Sequence, residues 1–332
     1  MKRLLLLITL LLLAAITPAV ADMDAHFLDV GHGDCIIVVA DGECMIVDGG
    51  NPSDSDLVFS YLLEMGVKEI TAAIATHPDS DHIGGLPAAF HAAKVTTLFA
   101  PTNDTSVKRH AVLLETAQEQ GAEFVIPEDG YTFALGNGTV TLFRKAADMT
   151  DDNNTSIVVL ITYGGTRFLL CGDIETAAER RVLDSGVDIR AAVLKVAHHG
   201  SPSSSSEAFV RAVAPTYAVI SGDEYTSTTD EVPARLIAQG SEILHTDALG
   251  HIVISTDGEN LTVSTEKKAP KVTQAPTTAP SSGAYIGNRN SKVFHRASCG
   301  SVKKMKDKNK VEFGSADAAL KAGYKPCKNC KP

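Results

Sequence analysis

At 332 residues with 44% hydrophobic and 21% charged side chains, the chain can bury a sizeable core, which excludes a disordered or fibrous protein. Its net charge of −10 is unevenly spread: residues 284–332 hold 12 Lys/Arg against 3 Asp/Glu, about +9, and the remainder carries about −19. A basic end on an acidic body is expected to hold a polyanion, nucleic acid or another phosphodiester polymer, with solubilising lysines as the plain alternative.

In chain order, Lys2 and Arg3 precede an apolar run from Leu4 to Ile16, and Ala19-Val20-Ala21 supplies small residues for cleavage. Residues 1–21 therefore read as a secretory signal and the mature chain as secreted and extracellular. A retained anchor is the competing reading, against which the apolar run is short. No later stretch is apolar and long enough for a stable membrane span. His26 to Val30, Cys35 to Ala40 and Cys44 to Val47 read as strands, with Asp41-Gly42 as a turn. Asp56 to Met65 has helical spacing and Gly66 ends it; Ile70 to Ala75 is a buried strand. Strands follow at Thr139 to Phe143, Ser156 to Tyr163, Thr166 to Cys171, Ala192 to Val196, Tyr217 to Ser221 and His251 to Thr256. Helices fit Val107 to Gln120, Thr176 to Asp184, Glu207 to Val213 and Pro233 to Gln239, which together give a layered mixed α/β architecture. Residues 266–283 are rich in Pro, Thr and Ser and read as an extended linker between a domain at 22–265 and a module at 284–332. Cys35, Cys44 and Cys171 sit in apolar contexts; Cys35 and Cys44 flank a hairpin and either pair or remain buried thiols.

The strongest chemical signal is Thr76-His77-Pro78-Asp79-Ser80-Asp81-His82-Ile83-Gly84-Gly85. Alternate residues of extended chain project to one side, so His77, Asp79 and Asp81 can converge, and His82 joins where the chain turns. Two imidazoles and two carboxylates at the end of a buried strand suit a pair of divalent cations with room left for water, and would be costly there if idle.

This segment resembles the H-x-H-x-D-H motif of the metallo-β-lactamase superfamily, in the variant with Asp at the second His. That variant is similar to the domain of this fold in the ComEC family of DNA-uptake competence proteins. Phe27 to Cys35 resembles that family's L-D-V-G-Q-G-D opening, with His32 in place of Gln, and Ile46-Val47-Asp48-Gly49-Gly50 resembles its I-D-x-G element. Asn153 to Ser156, Leu169 to Glu175 and Leu194 to Ser201 follow in the family's order. The resemblance implies an αββα metallo-β-lactamase sandwich over most of residues 24–265 and a metal-dependent hydrolase. It also implies a ligand set in which His77 and Asp79 hold one metal, Asp81 and His82 the second, and Asp173 bridges both. One of His198 and His199 completes the second site, and spacing does not choose between them; Asp152 is a weaker candidate. Ser227 falls where the family has a His.

Two adjacent cations would let a water lose its proton near neutral pH and attack phosphorus or a carbonyl carbon, with Asp81 and His82 in the catalytic centre. Lys195 either contacts a phosphate oxygen, a catalytic role, or faces solvent at its strand end. The extra carboxylate, Asp79, shifts the site from pure zinc preference toward manganese. His32 ranks first among the remaining histidines because of its Gly-rich turn, while His26, His91, His110, His245 and His251 are expected in ordinary core or surface roles.

In the tail, His295, Cys299, Cys327 and Cys330 form H-x₃-C and C-x₂-C, a set suited to one closed structural zinc that would staple a segment too short to fold alone. A Cys327–Cys330 disulfide is the alternative. Tyr285 to Cys327 resembles the Ada-type zinc-binding domain; His295 stands where the methyl-accepting form has Cys, so methyl transfer is not expected. Together these features give a secreted phosphodiesterase or nuclease acting on extracellular DNA. The competing readings are a hydrolase of another phosphodiester or lactone, such as a wall-polymer or choline-phosphate ester, and a non-catalytic binding protein.

Overall fold

The computed structural model describes residues 22–146, 148, 150–222, 231–267, 285–297, 299–313, 319–320, 322–328 and 330. The expected signal at 1–21, Ser227 and nearly all of the expected 266–283 linker lie outside these residues. The chain divides into two compact units, Met1–Pro270 and Lys271–Pro332.

In the large unit, eight strands form one sheet in the order Leu261–Thr265, Ile252–Thr256, Met23–Phe27, Ile36–Ala40, Glu43–Val47, Glu69–Ile74, Lys94–Phe99 and Glu123–Val125. Seven form a second, in the order Glu242–His245, Tyr217–Ile220, Val193–Lys195, Thr166–Leu170, Val158–Tyr163, Gly138–Phe143 and Tyr131–Leu135. Because side chains alternate faces along a strand, each sheet serves two cores. Ile36 and Val38 point between the sheets with Val159 and Ile161, whereas Cys35 and Ile37 face the helices Ser55–Glu64, Pro87–Ala92 and Lys108–Gln120. On the far side, Val158 and Leu160 pack against Thr176–Asp184, Glu207–Val213 and Glu231–Ala238. The result is the expected four-layer αββα sandwich, and burial on both faces explains why its strands read as continuous apolar runs. Five strands had no clear periodic signal in the sequence: Lys94–Phe99, Glu123–Val125, Tyr131–Leu135, Glu242–His245 and Leu261–Thr265. Four of them are sheet-edge strands and Lys94–Phe99 lies next to one, and pairing within the sheet rather than local pattern makes them strands. The first strand ends at Phe27, short of the expected Val30, because the chain leaves the ladder for a Gly-rich turn. Cys35, Cys44 and Cys171 are free and buried, and burial raises all three thiols above their ordinary range.

Four parallel strands in each sheet fix where chemistry can occur. Glu43–Val47, Glu69–Ile74, Lys94–Phe99 and Glu123–Val125 run parallel, as do Thr166–Leu170, Val193–Lys195, Tyr217–Ile220 and Glu242–His245. Asp48, Thr76, Asp173 and His198-His199 all follow the carboxyl ends of such strands, where open α/β sheets place their ligands. Ile157 N–H donates to Thr76 O (2.9 Å), tying the two sheets together beside this point.

Three short segments are knitted there by backbone contacts. Gly49 N–H donates to His82 O (2.6 Å), Gly85 N–H to Gly50 O (3.0 Å), Gly50 N–H to Asp34 O (2.7 Å) and Asp34 N–H to Asp81 O (3.2 Å). A Cβ on Gly49 would collide with the backbone of Leu86, which explains the glycine without appeal to its dihedral angles. Gly49→Ala is therefore expected to lower stability by roughly 1–3 kcal/mol, read as a shifted midpoint in urea unfolding; an unchanged midpoint would show that the 82–86 segment yields freely.

Candidate metal centres

The site in the large unit is built around three imidazoles whose outer nitrogens are already committed. Asp48, at φ 57°, ends its strand in a left-handed turn that aims its carboxylate back toward the next strand. It accepts from Thr76 N (2.8 Å), Thr76 Oγ1 (2.7 Å) and His82 Nδ1 (2.8 Å). The single proton of Thr76 Oγ1 is thus spent on Asp48, so His77 Nδ1, 3.1 Å from that oxygen, must be the donor in their contact. His77 Nε2 is then left with a bare lone pair; it is buried and has no hydrogen-bond partner among the described residues. His199 Nδ1 donates to Ser221 O (3.1 Å). All three rings therefore turn Nε2 inward, the arrangement in which an outer hydrogen bond fixes the tautomer of a metal-binding histidine.

Carboxylates meet these nitrogens. Asp173, 3% exposed, lies 3.3 Å from His82 Nε2, 3.5 Å from His199 Nε2 and 4.0 Å from His77 Nε2. Asp81 lies 3.5 Å from His199 Nε2, 3.9 Å from His82 Nε2 and 3.7 Å from His32 Nε2. One ligand atom from each of His77, His82 and Asp173 falls within 4.8 Å of the others, and the same holds for His32, Asp81 and His199. Charge at this point is strongly coupled to burial. Burial penalises the Asp173 carboxylate, yet His82 and His199 outweigh it and hold it well below the usual carboxylate range. Asp81 is likewise penalised by burial but drawn down to about 2 by His199 and His82. Burial lowers the His199 imidazole, and Asp173, Asp81 and Asp34 reverse this and raise it to about 9. The pocket thus stabilises positive charge at its centre: the same carboxylates that hold protons on the inward-facing imidazoles would favour a divalent cation in their place, and the donor set of imidazole nitrogens and ionised carboxylates fits one.

The left-handed turn at His198 (φ 50°) and His199 (φ 51°) separates two neighbours that spacing could not rank. Such a backbone costs roughly 1–2 kcal/mol per residue and persists because its surroundings hold it. His198 N–H donates to Gly172 O (3.1 Å), Ser201 N–H to His198 O (2.7 Å) and Ser204 Oγ to Ala197 O (2.9 Å). His199 is driven inward, its side chain 1% exposed, while His198 stays at the rim with 25% exposed. His198 Nε2 is 3.9 Å from Asp173 and its Nδ1 is 3.5 Å from Glu175.

Several expected placements change. The short helix Ser80–Ile83 sets His82 between the two expected positions: its Nε2 is 3.3 Å from His199 Nε2 and 3.9 Å from Asp81, and it also groups with His77 and Asp173. Asp79, with 47% of its side chain exposed, stands at the mouth 3.7 Å from His77 Nε2. Asp152 is exposed and belongs to none of the clusters found among the described residues. Lys195 neither contacts the open site nor faces solvent: its side chain is 1% exposed and its ammonium is held by Asp34 (2.8 Å) and Val196 O (2.9 Å). It neutralises a buried carboxylate that also accepts from Ser221 Oγ and lies 3.5 Å from His199 Nδ1. Asp34 and Asp48 are site residues to which motif reading gave no role, and His32, ranked first among the remaining histidines, was given no ligand role. Their signal was present as acids and a histidine in Gly-rich turns directly after strands, but such turns are usually only turns.

The small unit has a sheet in the order Lys310–Phe313, Tyr285–Asn288, Val293–Arg296 and Lys325–Pro326. Phe294 and Tyr324 fill one side, and on the other His295, Cys299, Cys327 and Cys330 bring ligand atoms within 4.8 Å of one another. None of these cysteines is in a disulfide, which overturns the alternative pairing. A backbone N–H from Ser301 and the neighbouring His295 hold the Cys299 thiol down to about 6, the thiolate form that zinc requires.

Residues 28–222 match the family described as Metallo-beta-lactamase superfamily, and residues 272–332 match the Metal binding domain of Ada. ComE operon protein 3 of Bacillus subtilis is 29% identical over 267 residues, covering 74% of this chain and 34% of that protein. Competence protein ComA of Neisseria gonorrhoeae is 29% identical over 227 residues, covering 67% and 30%. The chain thus spans about a third of the length of the curated relatives it matches.

Replacing the orienting carboxylate by Asp48→Asn is expected to weaken metal binding in the large unit about 10–100-fold, measured by competition with a chelator; an unaltered affinity would remove its orienting role. In the tail, Cys299→Ser is expected to cost one equivalent of zinc per full-length chain by elemental analysis, and a full zinc complement would rule that ligand out.

Proposed function

The chain belongs to the metallo-β-lactamase superfamily and is a hydrolase of that fold; from this premise we propose that it is a secreted phosphodiesterase or nuclease whose substrate is extracellular DNA. The observation that carries the reading is the inward convergence of His77, His82 and His199 Nε2 on Asp173. His77, His82 and Asp173 would hold one cation and Asp81 with His199 the other, with Asp173 between them and Asp79 at the entrance. When bound, such a pair supplies the Lewis acidity that makes water nucleophilic near neutral pH and offsets charge developing at phosphorus.

The chain's own groups would do the rest. Asp48 keeps the His82 ring fixed, and the Asp34–Lys195 pair with Ser221 does so for His199. Buried strand ends beneath them keep bulk water from the back of the site. His198, at the rim against Glu175, is placed to pass a proton to the leaving oxygen.

Support for DNA comes from the competence names of the relatives and from the roughly +9 charge of residues 284–332, since phosphate binding needs little more than positioned cations. Secretion rests on the basic, apolar and small-residue sequence of residues 1–21. No helix among the described residues is long and apolar enough to cross a membrane.

Metal-stripped protein incubated with plasmid, single-stranded DNA and a chromogenic bis-phosphodiester is expected to recover cleavage of all three, more fully with Mn²⁺ than with Zn²⁺. Cleavage of the small ester alone would move the substrate to another phosphodiester, and no turnover despite bound metal would end the enzymatic reading. Asp173→Ala is expected to reduce the rate by roughly 100-fold or more, beyond the 10–100-fold typical of an outer-shell partner; a retained rate would sink the bridging role.

A further inference from the structure

We propose that His32 is a protein ligand of the second cation position, completing with Asp81 and His199 a three-residue set. The inference rests on the two-cation reading above and adds a residue to it.

His32 is presented by a turn that has little freedom. Gly31 adopts φ 62° and Gly33 φ 152°, and a Cβ on Gly33 would collide with the backbone oxygen of Asp81. Asn51 Nδ2 donates to His32 O (2.7 Å), and Asp34 N–H, two residues on, donates to Asp81 O (3.2 Å). The turn is thereby tied to the segment that carries Asp81. This geometry lays the His32 ring over that of His199, centroids 4.2 Å apart and tilted by 49°, with His32 Nε2 3.7 Å from Asp81 Oδ2.

The separations are those expected of a ligand set and longer than those of a closed ion pair. A charge-assisted N–H···O contact closes to about 2.7–2.9 Å, as His82 Nδ1 and Asp48 do in this same site at 2.8 Å. Ligands arranged tetrahedrally at about 2.0–2.1 Å from one zinc lie roughly 3.3 Å from each other. His32 to Asp81 at 3.7 Å and His199 to Asp81 at 3.5 Å stand near the second spacing, not the first. The His32 side chain is 41% exposed, so it forms the outer wall of the position. With Asp173 between the two positions, His32, Asp81 and His199 would complete the protein side of the second one and leave its solvent side open to water.

The test counts manganese in the full chain, whose thiolate-rich tail site favours zinc over manganese. Metal-stripped protein is reloaded with Mn²⁺ and examined by elemental analysis, calorimetric titration and electron paramagnetic resonance. Wild type is expected to hold two equivalents with the spectrum of a coupled pair. His32→Gln is expected to weaken the second equivalent at least 10-fold and leave the six-line spectrum of an isolated ion, whereas His32→Asp, which restores a ligating oxygen, retains the pair. Two equivalents at wild-type affinity in His32→Gln would overturn the assignment while leaving the two-cation reading intact. Loss of the pair in both variants would also overturn it, by making the turn's shape rather than the ligand decisive. No manganese in the wild-type large unit would overturn the two-cation reading itself.

Discussion

Three imidazoles spend their Nδ1 protons outward, on Thr76, Asp48 and Ser221, and everything at the site follows from that commitment. A histidine with a fixed outer donor has a fixed inner nitrogen, so His77, His82 and His199 all turn Nε2 to one point. Asp173 and Asp81 meet them there as anions. Buried carboxylates must be matched by positive charge or hydrogen bonds: Lys195 does this for Asp34, and Thr76 with His82 for Asp48. At Asp173 the match is the positive charge held on the surrounding imidazoles, which a divalent cation would replace.

Holding this geometry requires rigidity in segments that are not regular structure. Asp48, His198 and His199 all adopt left-handed backbone that ordinary residues avoid. The cost is offset by hydrogen bonds from elsewhere in the chain: Thr76 to Asp48, and Gly172 and Ser204 at the turn that carries His198 and His199. The glycines of the 49–50 and 84–85 segments let backbones pass at distances no side chain would permit. The site is therefore a product of the packing between the two sheets, and its loops are as constrained as the strands beneath them.

The tail solves a different problem with similar chemistry. A few dozen residues cannot bury enough apolar surface for independent stability, and Phe294, Tyr324 and Ile286 form only two small clusters. Four convergent His and Cys ligands provide the remaining cross-link, as they do in small zinc-dependent domains generally.

Much of this was legible in the residues themselves. The apolar runs, the cluster from His77 to His82, the Gly-Asp at 172–173 and the four tail ligands each announce chemistry through spacing along the chain, because local geometry places near neighbours predictably. The sequence alone therefore determined the layered α/β class, the zinc-type tail and the core of the cation site. It could not decide which of His198 and His199 turns inward, since that depends on a left-handed backbone turn fixed by tertiary contacts such as that of His198 N–H with Gly172 O. Nor could it reveal that Lys195 is buried against Asp34, which lies 161 positions earlier in the chain, or that His32 stacks on His199. Those contacts arise only when two sheets close on each other, and long-range packing, unlike strand periodicity, leaves no mark in the order of the residues.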